Sequence, residues 1–213
     1  MGWKSNRWGE LVLLFVLLPL SLLLPYATWI KVLSILIGLV YVIYISFSSL
    51  KIKLNLKKVK DWKSFWTSTL KKLVLISIVT IMYVWFVDPD ALFCVPLNKP
   101  LLWVQILFIY TFISVWPQEF IFRTFFFKRY APLFKDPRLL IIINAILFSF
   151  AHLFFLNALV MVVTLAGGFL FAITFHKTDS TTLVSIEHAL YGNWLFTVGL
   201  GQMLAFPGMD ACM

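Results

Sequence analysis

The chain has 213 residues, of which 62% are hydrophobic and only 13% are charged, and its mean hydropathy is +0.94. Soluble domains carry about 25% charged residues, so this composition indicates an integral membrane protein and excludes an ordinary soluble enzyme. The formal net charge is +9, but the basic residues stand in short segments beside apolar runs, where they would meet anionic lipid headgroups. We therefore expect no nucleic-acid partner.

Apolar runs recur along the whole chain, and each is long enough as a helix to cross a hydrocarbon core about 30 Å thick. They do not alternate with polar residues as barrel strands do. The pattern predicts an all-α fold, a polytopic transmembrane helix bundle of about seven spans, within a range of about six to eight. The predicted spans cover about residues 11–26, 29–50, 65–87, 101–127, 138–156, 158–175 and 181–200.

The distribution of Lys and Arg between alternate loops predicts the orientation of the chain. With a cytoplasmic N-terminus, only Lys31 and Lys99 fall on the outer side. We therefore predict an integral membrane protein with its N-terminus in the cytoplasm, and we expect a bacterial inner membrane. Cys94 and Cys212 then share the outer side, where they either form a disulfide or remain two unrelated thiols.

Residues 51–72 form a basic segment in which lysines alternate with apolar residues, and it contains Trp62 and Trp66. This pattern predicts a segment that lies on an anionic lipid leaflet, with docking of a partner as the alternative. The segment belongs to an N-terminal part, residues 1–100, which contains the first three helices. Residues 101–213 are predicted to form the catalytic-type transmembrane core, because the polar residues described next lie there.

Polar and ionisable residues inside apolar helices are costly, and they mark either a functional site or a structural pair. Glu119 and Arg123 stand four residues apart in the fourth predicted helix, so they share one face and can pair. Pro117, just before them, predicts a tilt or a break in this long helix. Further residues of this kind lie in the fifth helix, His152, and in the seventh, Glu187, His188 and Asn193.

A rise of about 1.5 Å per residue places Glu119, His152 and His188 in the inner half to the middle of the membrane, where they could share one cavity. A carboxylate with two imidazoles suits activation of water, because the carboxylate takes a proton and the imidazoles polarise water and stabilise an oxyanion. The same three residues could hold a divalent metal such as zinc, but the His-Glu-x-x-His pattern is absent, so metal ranks second. Hydrogen bonding between helices is the structural alternative, and Gly167 and Gly168 are expected to let the sixth helix approach a neighbour closely.

Three stretches carry these residues in order: Gln118-Glu119-x-x-x-Arg123, Phe148-x-x-x-His152, and Glu187-His188-Ala189-Leu190-Tyr191-Gly192. They resemble the three successive motifs of the CPBP family, which comprises the CAAX prenyl proteases and the bacteriocin-processing enzymes. The resemblance covers about residues 117–200. It implies a multi-spanning intramembrane endopeptidase that hydrolyses a peptide bond with glutamate-activated water, assisted by histidines and by an asparagine at the oxyanion.

The chain departs from the family's pattern at two positions. The first motif usually begins with two glutamates, and Gln118 replaces the one that usually acts as base. An amide cannot act as a general base at neutral pH, so either Glu119 takes over or the activity differs. The asparagine usually follows the last histidine by four residues, where this chain has Gly192; Asn193 comes one place later, about 100° away around a helix.

We therefore assign Glu119 as the base, His152 as its partner and His188 to the oxyanion. Arg123 is expected to pair with a carboxylate and to shape the site. Supporting roles are predicted for four further residues: Phe148 as a wall that excludes water, Glu187 as a carboxylate that orients His188 or supplies an acid, Tyr191 as a substitute donor, and Asn193 as a displaced one.

Two other functions stay open beside the protease. A proton-coupled or ion-coupled transporter would use Glu119, His152 and Glu187 as a relay, and inverted repeats, which are not evident, would favour it. A non-catalytic membrane protein, such as an immunity factor, would retain a degenerate site, and Gln118 and the displaced Asn193 favour that interpretation. For the protease, the expected partner is a peptide or protein substrate in the membrane, and no cofactor is expected.

Overall fold

The computed structural model describes residues 6–52 and 62–204. Within these two ranges it contains helices, short helical turns and loops but no strand, which confirms the all-α class. We number the helices in chain order. Helix α1 covers residues 7–21, α2 Thr28–Ser48, α3 Trp62–Val87, α4 Cys94–Asn98, α5 Pro100–Leu133, α6 Pro137–Phe150, α7 Ala158–Thr178 and α8 Thr181–Val198.

Five segments of the described chain are long and apolar enough to cross a membrane. They are α2, α3, α5, α7, and α6 together with the turn that follows it, and their mean hydropathy lies between 1.5 and 2.3. Helices α1 and α8 correspond to the first and last predicted spans. The structure thus agrees with a polytopic protein of about seven spans, and the chain is an integral membrane protein.

Three helices in the C-terminal half begin directly after a residue that is favourable at the N-cap position. The side chains of Asp136, Asn157 and Ser180 accept hydrogen bonds from backbone N–H groups in the first turns of α6, α7 and α8. These bonds satisfy donors that otherwise have no intrahelical partner. Helix α8 ends at Val198 and is followed by Gly199, whose φ of 113° suits glycine.

Helix α5 continues through Pro117, so the break considered from the sequence does not occur. Two π-helical segments, Tyr110–Val115 and Phe120–Phe125, flank the α-helical turn Trp116–Glu119 that contains this proline. Proline lacks an N–H group and clashes with the preceding turn of an α-helix. The wider π turns accommodate it without ending the helix, and such turns are frequent at functional sites.

The described residues pack as two units, each built from two separate stretches of chain. The first unit comprises the described parts of Met1–Leu56 and Phe120–Asp179, and the second those of Lys57–Glu119 and Ser180–Met213. Each unit is therefore considered by itself. The functional division near residue 100 stays a prediction.

In the first unit, α6 and α7 pack against each other at Gly168. A Cβ atom at this position would lie 2.9 Å from the carbonyl oxygen of Ala145, so only glycine fits without displacement of a backbone. This confirms the close helix approach expected for Gly168. At Gly167 a Cβ atom would instead meet the ring of Phe171, one turn further along α7.

The first unit also contains a buried ion pair that the sequence did not single out. Arg129 donates two hydrogen bonds to the carboxylate of Glu10, at 2.9 and 2.6 Å, and the hydroxyl of Tyr130 donates a third at 3.0 Å. Bidentate pairs of arginine with a carboxylate are among the strong hydrogen-bonded contacts in proteins. The pair joins α1 to the end of α5.

In the second unit, apolar residues of α4 and α5 pack against α8. The buried core of this packing, which we call the α5–α8 cluster, comprises Val95, Ile106, Tyr110, Val115, Ala189 and Phe196. Two indoles add hydrogen bonds, because Trp194 donates to Thr80 and Trp103 donates to Thr197. Helix α8 is thereby held against both α3 and α5.

Two sequence predictions fall partly or wholly outside the described residues. Residues 53–61 of the basic segment are outside them, and so is Cys212. The lipid contact of this segment and the disulfide to Cys94 therefore stay predictions. Within the described part of the segment, the ammonium group of Lys72 is engaged by the carboxylate of Glu187.

Candidate active site

The second unit contains a buried contact between a carboxylate and an imidazole. The Nδ1 atom of His188 on α8 lies 2.7 Å from Oε1 of Glu119 on α5. Glu119 is fully buried and His188 is 6% exposed. With an ionised Glu119, which can only accept, the contact is a hydrogen bond donated by Nδ1, and the carboxylate fixes the ring. The Nε2 atom is then the nitrogen that can act on another molecule.

Glu187, the residue before His188, faces a different helix. Its Oε1 atom contacts the ammonium group of Lys72 on α3 and accepts a hydrogen bond of 2.9 Å from the hydroxyl of Tyr191. Glu187 is fully buried, whereas the Lys72 side chain is 26% exposed. The carboxylate that the sequence offered for orienting His188 is thus engaged in joining α3 to α8.

The hydroxyl of Tyr191 also belongs to this contact with α3. It lies 3.1 Å from the backbone carbonyl oxygen of Thr69 as well as 2.9 Å from Glu187. Tyr191, which the sequence offered as a substitute donor, therefore directs its hydroxyl to α3.

The two amide side chains of the motifs bind to α5. Asn193 donates a hydrogen bond of 3.0 Å to the hydroxyl of Thr111, and Gln118 donates one of 2.8 Å to the hydroxyl of Ser114. Neither donor group is directed at Glu119 or His188. Asn193 thereby ties α8 to the π-helical segment of α5.

Tyr110, which the sequence analysis did not single out, packs beside His188. The ring centroids lie 5.9 Å apart in an edge-to-face arrangement. A Cβ atom at Gly192 would overlap the hydroxyl of Tyr110, so this hydroxyl occupies the space that a side chain at Gly192 would need. The only sign of this contact in the sequence is Gly192, at a position where the CPBP family, which the chain resembles, usually has asparagine.

In the first unit, His152 lies just after α6 rather than inside it. The predicted helix continued to about residue 156, but α6 ends at Phe150 and a turn at Leu153–Phe155 follows. The Nδ1 atom of His152 lies 2.8 Å from the carbonyl oxygen of Phe148, and the two rings are 4.9 Å apart. The apolar run continues past the helix end, so hydropathy alone did not reveal it.

Arg123 is fully buried in the first unit, where an amide and two rings surround its guanidinium. Its Nη1 donates a hydrogen bond of 2.8 Å to Asn144, which in turn donates one of 2.6 Å to the carbonyl oxygen of Phe122. The guanidinium carbon lies 4.7 Å from the ring centroid of Phe148 and 5.9 Å from that of Phe171. Phe148 thus forms a cation–π contact in addition to contacting His152.

The predicted pairing of Arg123 with Glu119 joins residues of the two units and stays a prediction. The same holds for a cavity shared by His152 with Glu119 and His188.

Asn144 was not predicted to be a site residue. The sequence did carry a signal for it, since an amide in the middle of an apolar run needs a polar partner.

A metal site was the second choice from the sequence. Among residues 6–52 and 62–204, no group of three or more His, Cys, Asp or Glu side chains is arranged to hold a metal ion. A metal-dependent reaction stays the second-choice prediction.

Fold and site together define a polytopic helical membrane protein with a buried carboxylate–imidazole pair. Residues 100–194 match the family model described as "Type II CAAX prenyl endopeptidase Rce1-like". This range includes all the motif residues from Gln118 to Asn193, and the match confirms the resemblance to the CPBP family. No curated protein and no solved structure matches the chain significantly. The family match supports a CAAX-type intramembrane protease in general.

Proposed function

We propose that this protein is an intramembrane endopeptidase that hydrolyses a peptide bond of a membrane-associated protein or peptide with glutamate-activated water. The observation that carries the proposal is the buried contact of 2.7 Å between Glu119 and His188. A buried carboxylate–imidazole pair with fixed geometry suits general acid–base catalysis. The Rce1-like match of residues 100–194 supports the same class of reaction.

In the first step, the carboxylate of Glu119 takes a proton from water while the water oxygen forms a bond to the substrate carbonyl carbon. The carbonyl double bond opens, and its electron pair moves to oxygen to give an oxyanion. His188, kept protonated at Nδ1 by Glu119, donates from Nε2 when it is the imidazolium and stabilises this oxyanion. The low dielectric around the buried pair strengthens that interaction.

In the second step, the electron pair of the oxyanion re-forms the carbonyl double bond, and the bond between the carbonyl carbon and the peptide nitrogen breaks with its electron pair moving to nitrogen. The proton held by Glu119 is transferred to the departing nitrogen, so the products are an amine and a carboxylic acid. We assign His152 to orienting the water and Arg123 to shaping the site through its contact with Phe148. The guanidinium carbon lies 4.7 Å from the ring centroid of Phe148, and this cation–π contact supports Phe148 as a wall of the site.

The test is cleavage by the full chain in native membranes or proteoliposomes. Two fluorogenic probes are used, a farnesylated CAAX-type peptide and the same peptide without the farnesyl group. We expect the parent to cleave at least one probe, and we expect Glu119→Gln to lower kcat by about 10²-fold or more, because an amide cannot take the proton. His188→Ala and His152→Ala are expected to lower kcat as well.

Glu10→Gln is the matched control, because it also neutralises a buried carboxylate, one held by Arg129 rather than by a histidine. It is expected to lower stability but to retain cleavage per folded molecule. Equal cleavage by the parent and by Glu119→Gln would refute the catalytic assignment. A chelator titration of purified protein, with metal analysis, distinguishes metal-free hydrolysis from the metal-dependent alternative.

We also propose that the basic segment, residues 51–72, binds anionic lipid. The charge pattern of the sequence supports this proposal. Co-flotation with vesicles of phosphatidylcholine alone and with added phosphatidylglycerol tests it for a peptide of residues 51–63. Binding that is equal for both vesicles would contradict it.

A further inference from the structure

At the interface of α5 and α8, α8 has glycine at position 192, and the hydroxyl of Tyr110 on α5 fills the space beside it. Gly192 lies four residues after His188, so the two positions share one face of α8 and stand about 6 Å apart along its axis. A Cβ atom at Gly192 would overlap the hydroxyl and the ring of Tyr110. The Tyr110 hydroxyl therefore takes the place, one turn beyond His188, that a side chain of α8 would occupy.

The ring of Tyr110 is held firmly. It belongs to the α5–α8 cluster and meets Phe196 edge to face, with centroids 4.9 Å apart. It also meets the His188 ring edge to face, with centroids 5.9 Å apart. A ring fixed in this way leaves its hydroxyl oxygen little freedom of position, which is the condition for a preorganised donor.

The hydroxyl of Tyr110 is available to a bound molecule. Tyr110 is only 9% exposed, yet no hydrogen bond between residues of the described chain involves its hydroxyl. The hydroxyl oxygen is not among the fully buried unpaired atoms of the described chain, so a bound molecule can reach it. An ordinary tyrosine has a pKa of about 10 and is protonated at neutral pH, so this group can donate.

We infer that the Tyr110 hydroxyl donates a hydrogen bond to the oxyanion that forms on the substrate carbonyl, beside His188. The inference rests on the proposed function and assigns a second donor to the same site. Glycine at 192 is then a requirement of this arrangement, since any larger residue would displace the donor. The tyrosine also accounts for Asn193, whose amide is bound to Thr111 and is not needed at the oxyanion.

The decisive variant is Tyr110→Phe, which removes the hydroxyl and keeps the ring in the α5–α8 cluster. Loss of one donor to an oxyanion lowers kcat by about 10² to 10³-fold. We expect a loss in that range with a KM within about twofold of the parent, because the bond forms only in the transition state. Thermal stability should not fall, since the lost hydroxyl has no partner among the described residues.

Tyr130→Phe is the matched control. It removes a hydroxyl from another buried tyrosine of α5, but that hydroxyl donates to Glu10. We expect lower thermal stability and the kcat of the parent. If buried tyrosine hydroxyls had only a structural role, Tyr110→Phe and Tyr130→Phe would change kcat and thermal stability in the same direction.

An exchange of side chains gives a second readout. Gly192→Asn alone should abolish cleavage, because the new side chain and the Tyr110 hydroxyl need the same space. Tyr110→Ala together with Gly192→Asn frees that space and supplies a donor amide from α8. We expect this double variant to exceed the kcat of Gly192→Asn and of Tyr110→Ala by at least about tenfold, as rescue of one lost donor predicts.

The outcomes separate this inference from the function on which it rests. If the parent is active, Glu119→Gln is inactive and Tyr110→Phe has the kcat of the parent, the donor role is overturned and the proposed function stands. A tenfold or larger rise in KM with unchanged kcat overturns it as well, because that pattern indicates substrate binding alone. If the parent cleaves neither probe, or Glu119→Gln is as active as the parent, the proposed function fails and this inference falls with it.

Discussion

Glu187 and His188 are neighbours in the sequence, yet they bind partners on different helices. Successive residues of an α-helix point about 100° apart, and here that angle directs Glu187 to Lys72 on α3 and His188 to Glu119 on α5. One turn of α8 therefore carries both a structural ion pair and the candidate catalytic pair. Variants on the two sides of this turn should have different effects.

The first prediction concerns the ion pair of Lys72 and Glu187. Lys72→Met leaves the carboxylate of Glu187 buried without its cation, and breaking a buried pair in this way costs roughly 3 kcal/mol. We expect a clear fall in the thermal unfolding temperature of the purified protein in detergent. Cleavage per folded molecule should change less than it does in Glu119→Gln.

The control for this prediction is the double variant Lys72→Met/Glu187→Leu. It removes both charges, so the uncompensated charge disappears and much of the lost stability should return. A double variant that is less stable than Lys72→Met would show that the pair is not what joins α3 to α8.

The second prediction separates two roles for His188. Glutamine carries an N–H donor but cannot take a proton, whereas alanine has neither capacity. If His188 stabilises the oxyanion, His188→Gln should keep at least about tenfold more kcat than His188→Ala, as expected for one retained donor. Steady-state kinetics in proteoliposomes measure this difference. Equal loss in both variants would assign the general base to His188 and an orienting role to Glu119.

The helical class could be predicted because apolar runs are continuous and long, and the structure places helices where they were expected. The end of α6 could not be predicted, since the residues from Phe150 through Leu156 are apolar apart from His152. Asn157, which caps α7, was the only local sign of a boundary there. Hydropathy measures transfer to lipid and does not report where a helix turns.

The contacts between the site residues were harder to predict from the sequence than the identity of those residues. Glu119 and His188 were both singled out as costly in lipid, but a contact across 69 positions of sequence leaves no periodic signal. Tyr110 was missed for a further reason. It opens a π-helical segment, and each such turn takes in an extra residue and shifts the faces of a helix from the spacing that an α-helix would give.

The third prediction concerns the amide that binds Arg123. Asn144 is fully buried and bridges the guanidinium to the carbonyl oxygen of Phe122. Asn144→Ala leaves both groups without this partner, which costs about 2 kcal/mol or more for a charged group. Asn98→Ala is the matched control, since exposed Asn98 bonds only within its own short helix α4. Thermal unfolding in detergent should separate the two variants, and equal unfolding temperatures would contradict the bridging role.

The fourth prediction uses the adjacent glycines of α7. Replacing glycine by alanine inside a helix favours the helix by about 0.5 to 1 kcal/mol. Gly167→Ala should therefore be neutral or stabilising, because its Cβ atom would meet only the ring of Phe171, which can shift. Gly168→Ala should instead be destabilising by about 1 to 3 kcal/mol, since its Cβ atom would press on the backbone of Ala145 and force α6 and α7 apart. The measurement is the unfolding temperature of each variant. Both variants carry the same added methyl group, so any difference between their unfolding temperatures reports helix packing rather than helix propensity. A Gly168→Ala variant as stable as Gly167→Ala would show that α6 and α7 can separate at this point without cost.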